Sequence, residues 1–356
     1  MDVLCLSHQN SKYMKKYIAL SAAFMVLIMW GCSKTENDTL SLKYTLERNV
    51  ADINSAMNYI SNTTACEILS VNSSAYKCEE GFRDSIALDL IAGIYEFQPD
   101  LVNFSMFFIP YKLFEKTGES ERMIVNMPHK LIYHPEYLYN INPFDTLLEN
   151  DFTISASDYH LYYSWGSKYD YKLTADFTFD SEDIGTLEII SADQEESGLT
   201  YTSEYTFNEG FKIGVGFQSD YSSVSYFDLK QDDLILLRET VTRVKNDSDE
   251  KEVKYMLTIG NIDIVKMTGV DSIQVYLDGV LQQNAGAVII DTTYFGASIR
   301  HERDILLTLD NGTTVKIGDM LKPAKKTLAI LVDSLHSMNF ASYIINYIAV
   351  SIYYHS

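Results

Sequence analysis

Hydrophobic and polar residues alternate along most of the chain from residue 151 onward. The alternation comes in short runs bounded by turn-forming residues, which is typical of strands with one buried face. The predicted hairpins are 151–179 around Gly166-Ser167, 199–217 around Gly210, 234–260 around Asn246–Asp249, and two short ones at Asp278-Gly279 and Asn311-Gly312. This repeated pattern predicts antiparallel sheets.

Three segments depart from the two-residue period. Residues 44–60 place apolar side chains three or four apart, which predicts a helix. Residues 322–338 show the same spacing, with Pro323 near the start of the predicted helix. Residues 344–354 are rich in β-branched and aromatic types, which predicts a closing strand. The expected fold is mainly β (α+β), an antiparallel β-sandwich or barrel-like sheets with an N-terminal helix and a helix near the C-terminus.

The N-terminus has the layout of a secretory signal peptide. Met14-Lys15-Lys16 precede an apolar run from Tyr17 to Trp30. That run is shorter than the roughly 20 apolar residues of a membrane-spanning helix, and it suits the apolar region of a signal that is removed. We therefore expect residues 1–31 to be a signal peptide, with translation starting at Met14.

The run ends in Gly31-Cys32, followed by the polar residues Ser33 to Asp38. This arrangement resembles the lipobox of bacterial lipoproteins, and the acidic stretch after the cysteine resembles the export signal of Bacteroidetes-type lipoproteins. Met29 and Trp30 depart from the usual lipobox, which favours Leu and a small residue at those places. The resemblance implies diacylglycerol and palmitate-type chains on Cys32, which would anchor the protein to the outer membrane, either periplasmic or surface-exposed.

The remaining chain is expected to divide into three parts. Residues 32–43 form a polar tether, 44–246 an N-terminal β-rich domain with its leading helix, and 247–356 a C-terminal β domain with its helix. The boundary is set at the acidic turn 246–251 because polar residues interrupt two apolar runs there. A long hairpin through the same turn is the alternative.

Composition limits the partners. The chain has a formal net charge of −21, which argues against nucleic-acid binding because that requires clustered Lys and Arg. A content of 46% hydrophobic residues is enough to build a core. The sequence contains no H-E-x-x-H, G-x-x-x-x-G-K-[ST] or G-x-S-x-G motif. We therefore predict no cofactor, no metal site and no catalytic residue.

Cys66 and Cys78 are the only cysteines after Cys32. The segment between them contains Asn72-Ser73-Ser74, which predicts a short hairpin that would bring the two thiols within reach of a disulfide. Two buried free thiols are the alternative. No further Cys or closely spaced His completes a zinc site.

One segment is dense in aromatic residues. In an extended strand Tyr159, Tyr163 and Trp165 share one face. Aromatic residues on one face of a strand usually pack into the core, and this is the arrangement we expect. The alternative is an exposed surface for sugar rings, because the face of an aromatic ring is apolar and its polar edge can form hydrogen bonds.

The sequence therefore predicts a non-enzymatic, membrane-anchored exported lipoprotein that binds a ligand or glycan outside the cytoplasm. A structural or adhesion subunit at the cell surface is the alternative, with another surface protein as its partner. A hydrolase is the third reading, because acidic pairs are abundant and a sequence does not show whether two carboxylates face each other across a cleft.

Overall fold

The structure, a computed structural model, describes residues 41–70, 85–98, 113–133, 149–164, 168–194, 198–220, 222–245, 251–294, 300–336 and 340–355. Within these ranges seven α-helices are formed: α1 Leu42–Ser61, α2 Thr64–Leu69, α3 Leu88–Ile91, α4 Lys130–Tyr133, α5 Ile317–Met320, α6 Lys322–His336 and α7 Phe340–His355. Helices α1 and α6 confirm the two helices predicted from the apolar spacing.

Eighteen strands make up most of the described chain. They are β1 Ser85–Ala87, β2 Gly93–Phe97, β3 Phe114–Gly118, β4 Met123–Met127, β5 Phe152–Ser164, β6 Lys168–Phe179, β7 Glu182–Gln194, β8 Gly198–Phe207, β9 Phe211–Ser219, β10 Ser222–Gln231, β11 Leu234–Lys245, β12 Lys251–Ile259, β13 Ile262–Met267, β14 Gln274–Leu277, β15 Val280–Leu281, β16 Gly286–Tyr294, β17 Arg300–Thr308 and β18 Thr314–Lys316. The mainly β class is confirmed.

Fifteen strands form one sheet. Strands β4 to β15 follow each other in chain order, and each pairs antiparallel with the next. Strands β2 and β3 continue the sheet beyond β4, where β2 runs parallel to β4, and β1 pairs with β5. Strands β16, β17 and β18 form a second, three-stranded sheet.

Helices cover one face of the large sheet. Helix α7 lies over β5 and β6, where the Phe340 ring is 5.9 Å from the ring of Phe152 and 6.0 Å from that of Phe177. Helix α6 contacts β8 and β9. Helix α1 lies over β11 and β12, and the Asn49 side-chain amide donates to the carbonyl of Ile259 at 2.8 Å. Helices therefore pack against the buried face of the sheet, and the opposite face carries polar residues.

The predicted closing strand is wrong, because residues 340–355 form helix α7. Its buried residues follow a helical stripe through Phe340, Ile344, Ile345 and Ile348. β-branched residues have a low helix propensity, but that cost is small beside the burial of this stripe against the sheet. The segment Lys322–Tyr353 is long and apolar enough to cross a membrane by composition, yet most of it is buried in this structure.

The hairpin predicted around the two cysteines is also wrong in its first half, because Cys66 lies in helix α2. Thr63 caps that helix by accepting a hydrogen bond from the Cys66 backbone N–H at 3.1 Å. Cys78 lies outside the described residues, so the disulfide stays a prediction.

The domain boundary proposed near residue 246 falls between two paired strands. Strands β11 and β12 pair antiparallel from Leu237–Ile259 to Lys245–Lys251, so they form one long hairpin. Residues Leu42–Ser356 cluster as one compact unit.

Candidate functional site

The three aromatic residues singled out in the sequence differ in their surroundings. Tyr159 is buried, with 2% of its surface exposed. Tyr163 lies near the end of the same strand and is 42% exposed. Trp165 belongs to the connection between β5 and β6, outside the described residues. Of the two described tyrosines, only Tyr163 therefore has a surface open to a ligand.

Strand register places three further residues in a row with Tyr163. Tyr163 is directly opposite Tyr169 on β6, Tyr169 is opposite Asp193 on β7, and Asp193 is opposite Leu199 on β8. Leu199 is 42% exposed and Asp193 is exposed as well. We call these four residues the aromatic end of the sheet. They share the face that is buried farther along, because side chains two apart on a strand point the same way.

The two tyrosines of the aromatic end are held in a defined arrangement. Their ring centroids are 6.5 Å apart and the rings are tilted by 72°, an edge-to-face pair. Tyr169 is in turn stacked against Tyr171, at 6.4 Å and 24°. Tyr171 contacts Tyr159 edge-on at 6.1 Å. A continuous series of rings therefore runs from the exposed Tyr163 into the core and holds the outer rings in place.

The inner end of this series is fixed by hydrogen bonds. The Tyr159 phenol donates to Oδ1 of Asn346 on helix α7 at 3.0 Å. On β8, the Tyr201 phenol donates to the backbone carbonyl of Leu335 at the end of helix α6. Burial raises the pKa of Tyr201, which keeps its phenol protonated and able to donate. Both helices are thus attached to the strands that carry the aromatic end.

The chemistry of the aromatic end suits a neutral polyhydroxylated ligand. Tyrosine rings offer apolar faces to the C–H groups of a sugar, and the exposed Asp193 carboxylate accepts hydrogen bonds from hydroxyl groups. Leu199 adds apolar surface at the other end of the row. The arrangement can bind such a ligand, but it brings together no nucleophile with a base.

Two other chemically capable side chains of the described residues, Cys66 and His129, have structural partners. Cys66 is buried with its Sγ 3.9 Å from Oγ of Ser70, and burial raises the pKa of its thiol. His129 pairs through Nδ1 with the carboxylate of Asp151, which also accepts a hydrogen bond from the His129 backbone N–H at 2.8 Å. In the part of the chain that the structure describes, no group of three or more His, Cys, Asp or Glu is placed to hold a metal ion.

The sequence drew attention to Tyr163 but did not show which residues would be beside it. Asp193 and Leu199 follow it by 30 and 36 positions, on different strands. The alternating pattern shows which residues share a face within one strand. Only the register between strands shows which residues are neighbours, and in hairpins the turns set that register.

Comparison with known proteins adds nothing to this site, because no protein-family model, no curated protein and no solved structure matches the chain.

Proposed function

We propose that the chain is an exported lipoprotein, anchored to a membrane by lipid on Cys32, that binds a glycan at the aromatic end of its sheet. The anchor rests on the Met14-Lys15-Lys16 start, the apolar run and Gly31-Cys32. The acidic composition is compatible with a protein that stays soluble outside the cytoplasm while its anchor holds it at the membrane.

The observation that carries the glycan proposal is the exposed ring of Tyr163, paired edge-to-face with the half-buried Tyr169, beside the exposed carboxylate of Asp193. Exposed aromatic rings are costly to keep in water, and pairing one with a hydrogen-bond acceptor gives both parts of a sugar site. The sheet beneath the site is well packed, so the binding groups need little ordering when the ligand arrives.

A glycan array with the purified protein tests the binding site. We expect a hit whose affinity is lost in Tyr163→Ala and lowered about tenfold in Asp193→Asn, because a hydrogen bond to a charged acceptor contributes about 1.5–3 kcal/mol. Tyr162→Ala is the matched control, since Tyr162 is on the opposite face of the same strand. Binding that survives Tyr163→Ala, or an array without any hit, would contradict the proposed site.

Metabolic labelling with a palmitate analogue tests the anchor. Cys32→Ala should abolish the label and leave the protein uncleaved or soluble. Cys66→Ala is the control and should keep the label, because Cys66 is buried in helix α2. Equal labelling of the Cys32 variant and the unmodified chain would show that the lipid is not on Cys32.

A further inference from the structure

Exposed apolar side chains are frequent in one segment of the chain. Thirteen large hydrophobic side chains are exposed in the described part of the chain, and six of them lie between residues 267 and 289. The six are Met267, Val270, Val280, Leu281, Val288 and Ile289. This segment contains the last strands of the large sheet and the first strand of the small one. Exposed apolar side chains that lie side by side can form an interaction surface, as Val288 and Ile289 on β16 do, whereas single exposed residues do not.

The same segment leaves backbone groups without strand partners. Strand β15 pairs with β14 alone among the described strands, and β16 pairs with β17 along its length. On its other side, β16 makes a single bridge within the described chain, from Ala287 to Ile273. The two strands are edges of different sheets, and we call β16, the longer of the two, the apolar edge. An edge of this kind presents a row of N–H and C=O groups to any further strand.

Strand β3, at the other end of the large sheet, is protected against such pairing. Strand β3 carries exposed Glu115 and Lys116, and Lys116 forms an ion pair with Glu119 at 2.9 Å. The pairing of β3 with β2 is also interrupted by a register shift. Charges and bulges are the usual means of blocking edge-to-edge association. The apolar edge, in contrast, contains one charged residue, Asp291, and neither Lys nor Pro.

Side chains on both faces of β16 are open to a partner. Val288 is 54% exposed and Ile289 is 48% exposed, although consecutive residues of a strand point to opposite faces. An added strand would hydrogen-bond to the edge and cover these side chains with its own, which combines the two sources of affinity in strand addition.

We propose that the apolar edge accepts an extended strand from a partner protein, apolar at alternate positions and basic at its ends. The basic ends follow from the local charge, because residues 262–291 carry four aspartates and one lysine. Asp271 and Asp278 among them are exposed. A second copy of this chain, with its net charge of −21, would bring like charges together, which disfavours self-pairing.

A peptide-binding measurement tests this proposal independently of the glycan site. The probe is a fluorescent peptide of alternating valine and threonine with lysines at both ends, followed by fluorescence anisotropy. We expect saturable binding, and the affinity should fall about tenfold or more in Val288→Lys and in Ile289→Lys. Each new lysine repels the lysine ends of the peptide and removes an apolar contact. Glutamate ends, or a central proline that removes a backbone donor, should abolish binding.

Leu234→Lys is the matched control, because Leu234 is 63% exposed but lies on β11, inside the sheet. It should bind the peptide like the unmodified chain. Val288→Thr keeps a β-branched residue and should weaken binding less than Val288→Lys, and equal melting temperatures will show that both variants are folded.

Three outcomes would overturn the proposal. The first is equal loss of binding in Leu234→Lys, and the second is tight binding of the proline peptide. The third is a different occupant, seen as a dimer in sedimentation or as binding to phospholipid vesicles that Val288→Lys abolishes. Because the aromatic end is on other strands, glycan binding can fail while peptide binding succeeds, and the reverse.

Discussion

The phenol of Tyr159 donates a hydrogen bond to Oδ1 of Asn346 over 3.0 Å, and this bond joins strand β5 to helix α7 in the core. The two residues are 187 positions apart in the chain and both are buried. The Nδ2 atom of Asn346 has no hydrogen-bond partner among the described residues. Burying these polar groups therefore costs desolvation free energy, and the hydrogen bond fixes the position of helix α7 against the series of tyrosine rings.

Removing one partner of this bond should destabilise the protein more than removing both. Tyr159→Phe leaves the Asn346 amide buried without its donor, and we expect a loss of about 1–3 kcal/mol in the free energy of unfolding. The double variant Tyr159→Phe/Asn346→Leu replaces both polar groups by apolar ones and should recover most of that loss. Urea denaturation of the unmodified chain, Tyr159→Phe, Asn346→Leu and the double variant completes this double-mutant cycle. Strictly additive effects would show that the bond contributes nothing specific.

A buried ionic cluster on the polar face gives a second prediction. Asp228 is fully buried although it lies on that face, and its Oδ2 is 2.7 Å from Arg238 and 3.3 Å from Lys230. Arg238→Gln leaves a buried carboxylate with one cation fewer, so we expect a loss of about 2–4 kcal/mol in unfolding free energy.

The control for this cluster is the exposed ion pair of Arg303 and Asp291, whose side chains are 81% and 60% exposed. Arg303→Gln should change the unfolding free energy by about 0–1 kcal/mol, because an exposed pair is well solvated. Comparable losses in the Arg238 and Arg303 variants would contradict the distinction between buried and exposed pairs.

Buried tyrosines predict how stability depends on pH. Burial raises the pKa of Tyr205, Tyr255 and Tyr95 above the ordinary value of 10.0, that of Tyr95 to about 12. Below pH 10 these tyrosines should make no contribution to the pH dependence of the unfolding free energy. Above pH 10 the unfolded chain loses its phenol protons before the folded chain does, so the unfolding free energy should fall from pH 10 to about pH 12 and beyond. Thermal unfolding across that range measures the decline.

Tyr205→Phe isolates one phenol, because Tyr205 is completely buried. Above pH 10 the unfolding free energy of Tyr205→Phe should decline less steeply than that of the unmodified chain. The two slopes should differ by about 1.4 kcal/mol per pH unit. Between pH 7 and 9 the two curves should run parallel, separated by the lost hydrogen bond from Tyr205 to the Ile184 carbonyl at 3.2 Å. Curves that stay parallel above pH 10 would show that burial does not hold this phenol protonated.

The predicted disulfide is tested by alkylation. In the denatured protein, exported but not reduced, neither Cys66 nor Cys78 should react if the two are bonded. Two modified cysteines would show that the bond is absent. In native, reduced protein Cys66 should react slowly in either case, because its thiol is buried and burial raises its pKa.

The sequence by itself determined the local elements with short-range signals. The apolar spacing in residues 44–60 and 322–338 predicted helices α1 and α6, and the turn at Asp278-Gly279 predicted the β14–β15 hairpin. Both residues of that turn have positive φ, 51° and 73°, which the Asp-Gly pair tolerates. Such signals lie within one element or one turn, where periodicity and backbone preference decide the conformation.

The tertiary structure alone decided what long-range contacts control. Residues 344–354 read as a strand, yet they fold as helix α7 because its apolar stripe is buried against β5 and β6. Tyr163, Asp193 and Leu199 become neighbours through the register of four strands, whereas Tyr159, farther along β5, is buried and bonded to Asn346. A side-chain pattern reports the face on which a residue lies, whereas its exposure depends on which segments pack over it. Those segments are distant in the chain, so the contacts between them are decided by the tertiary structure.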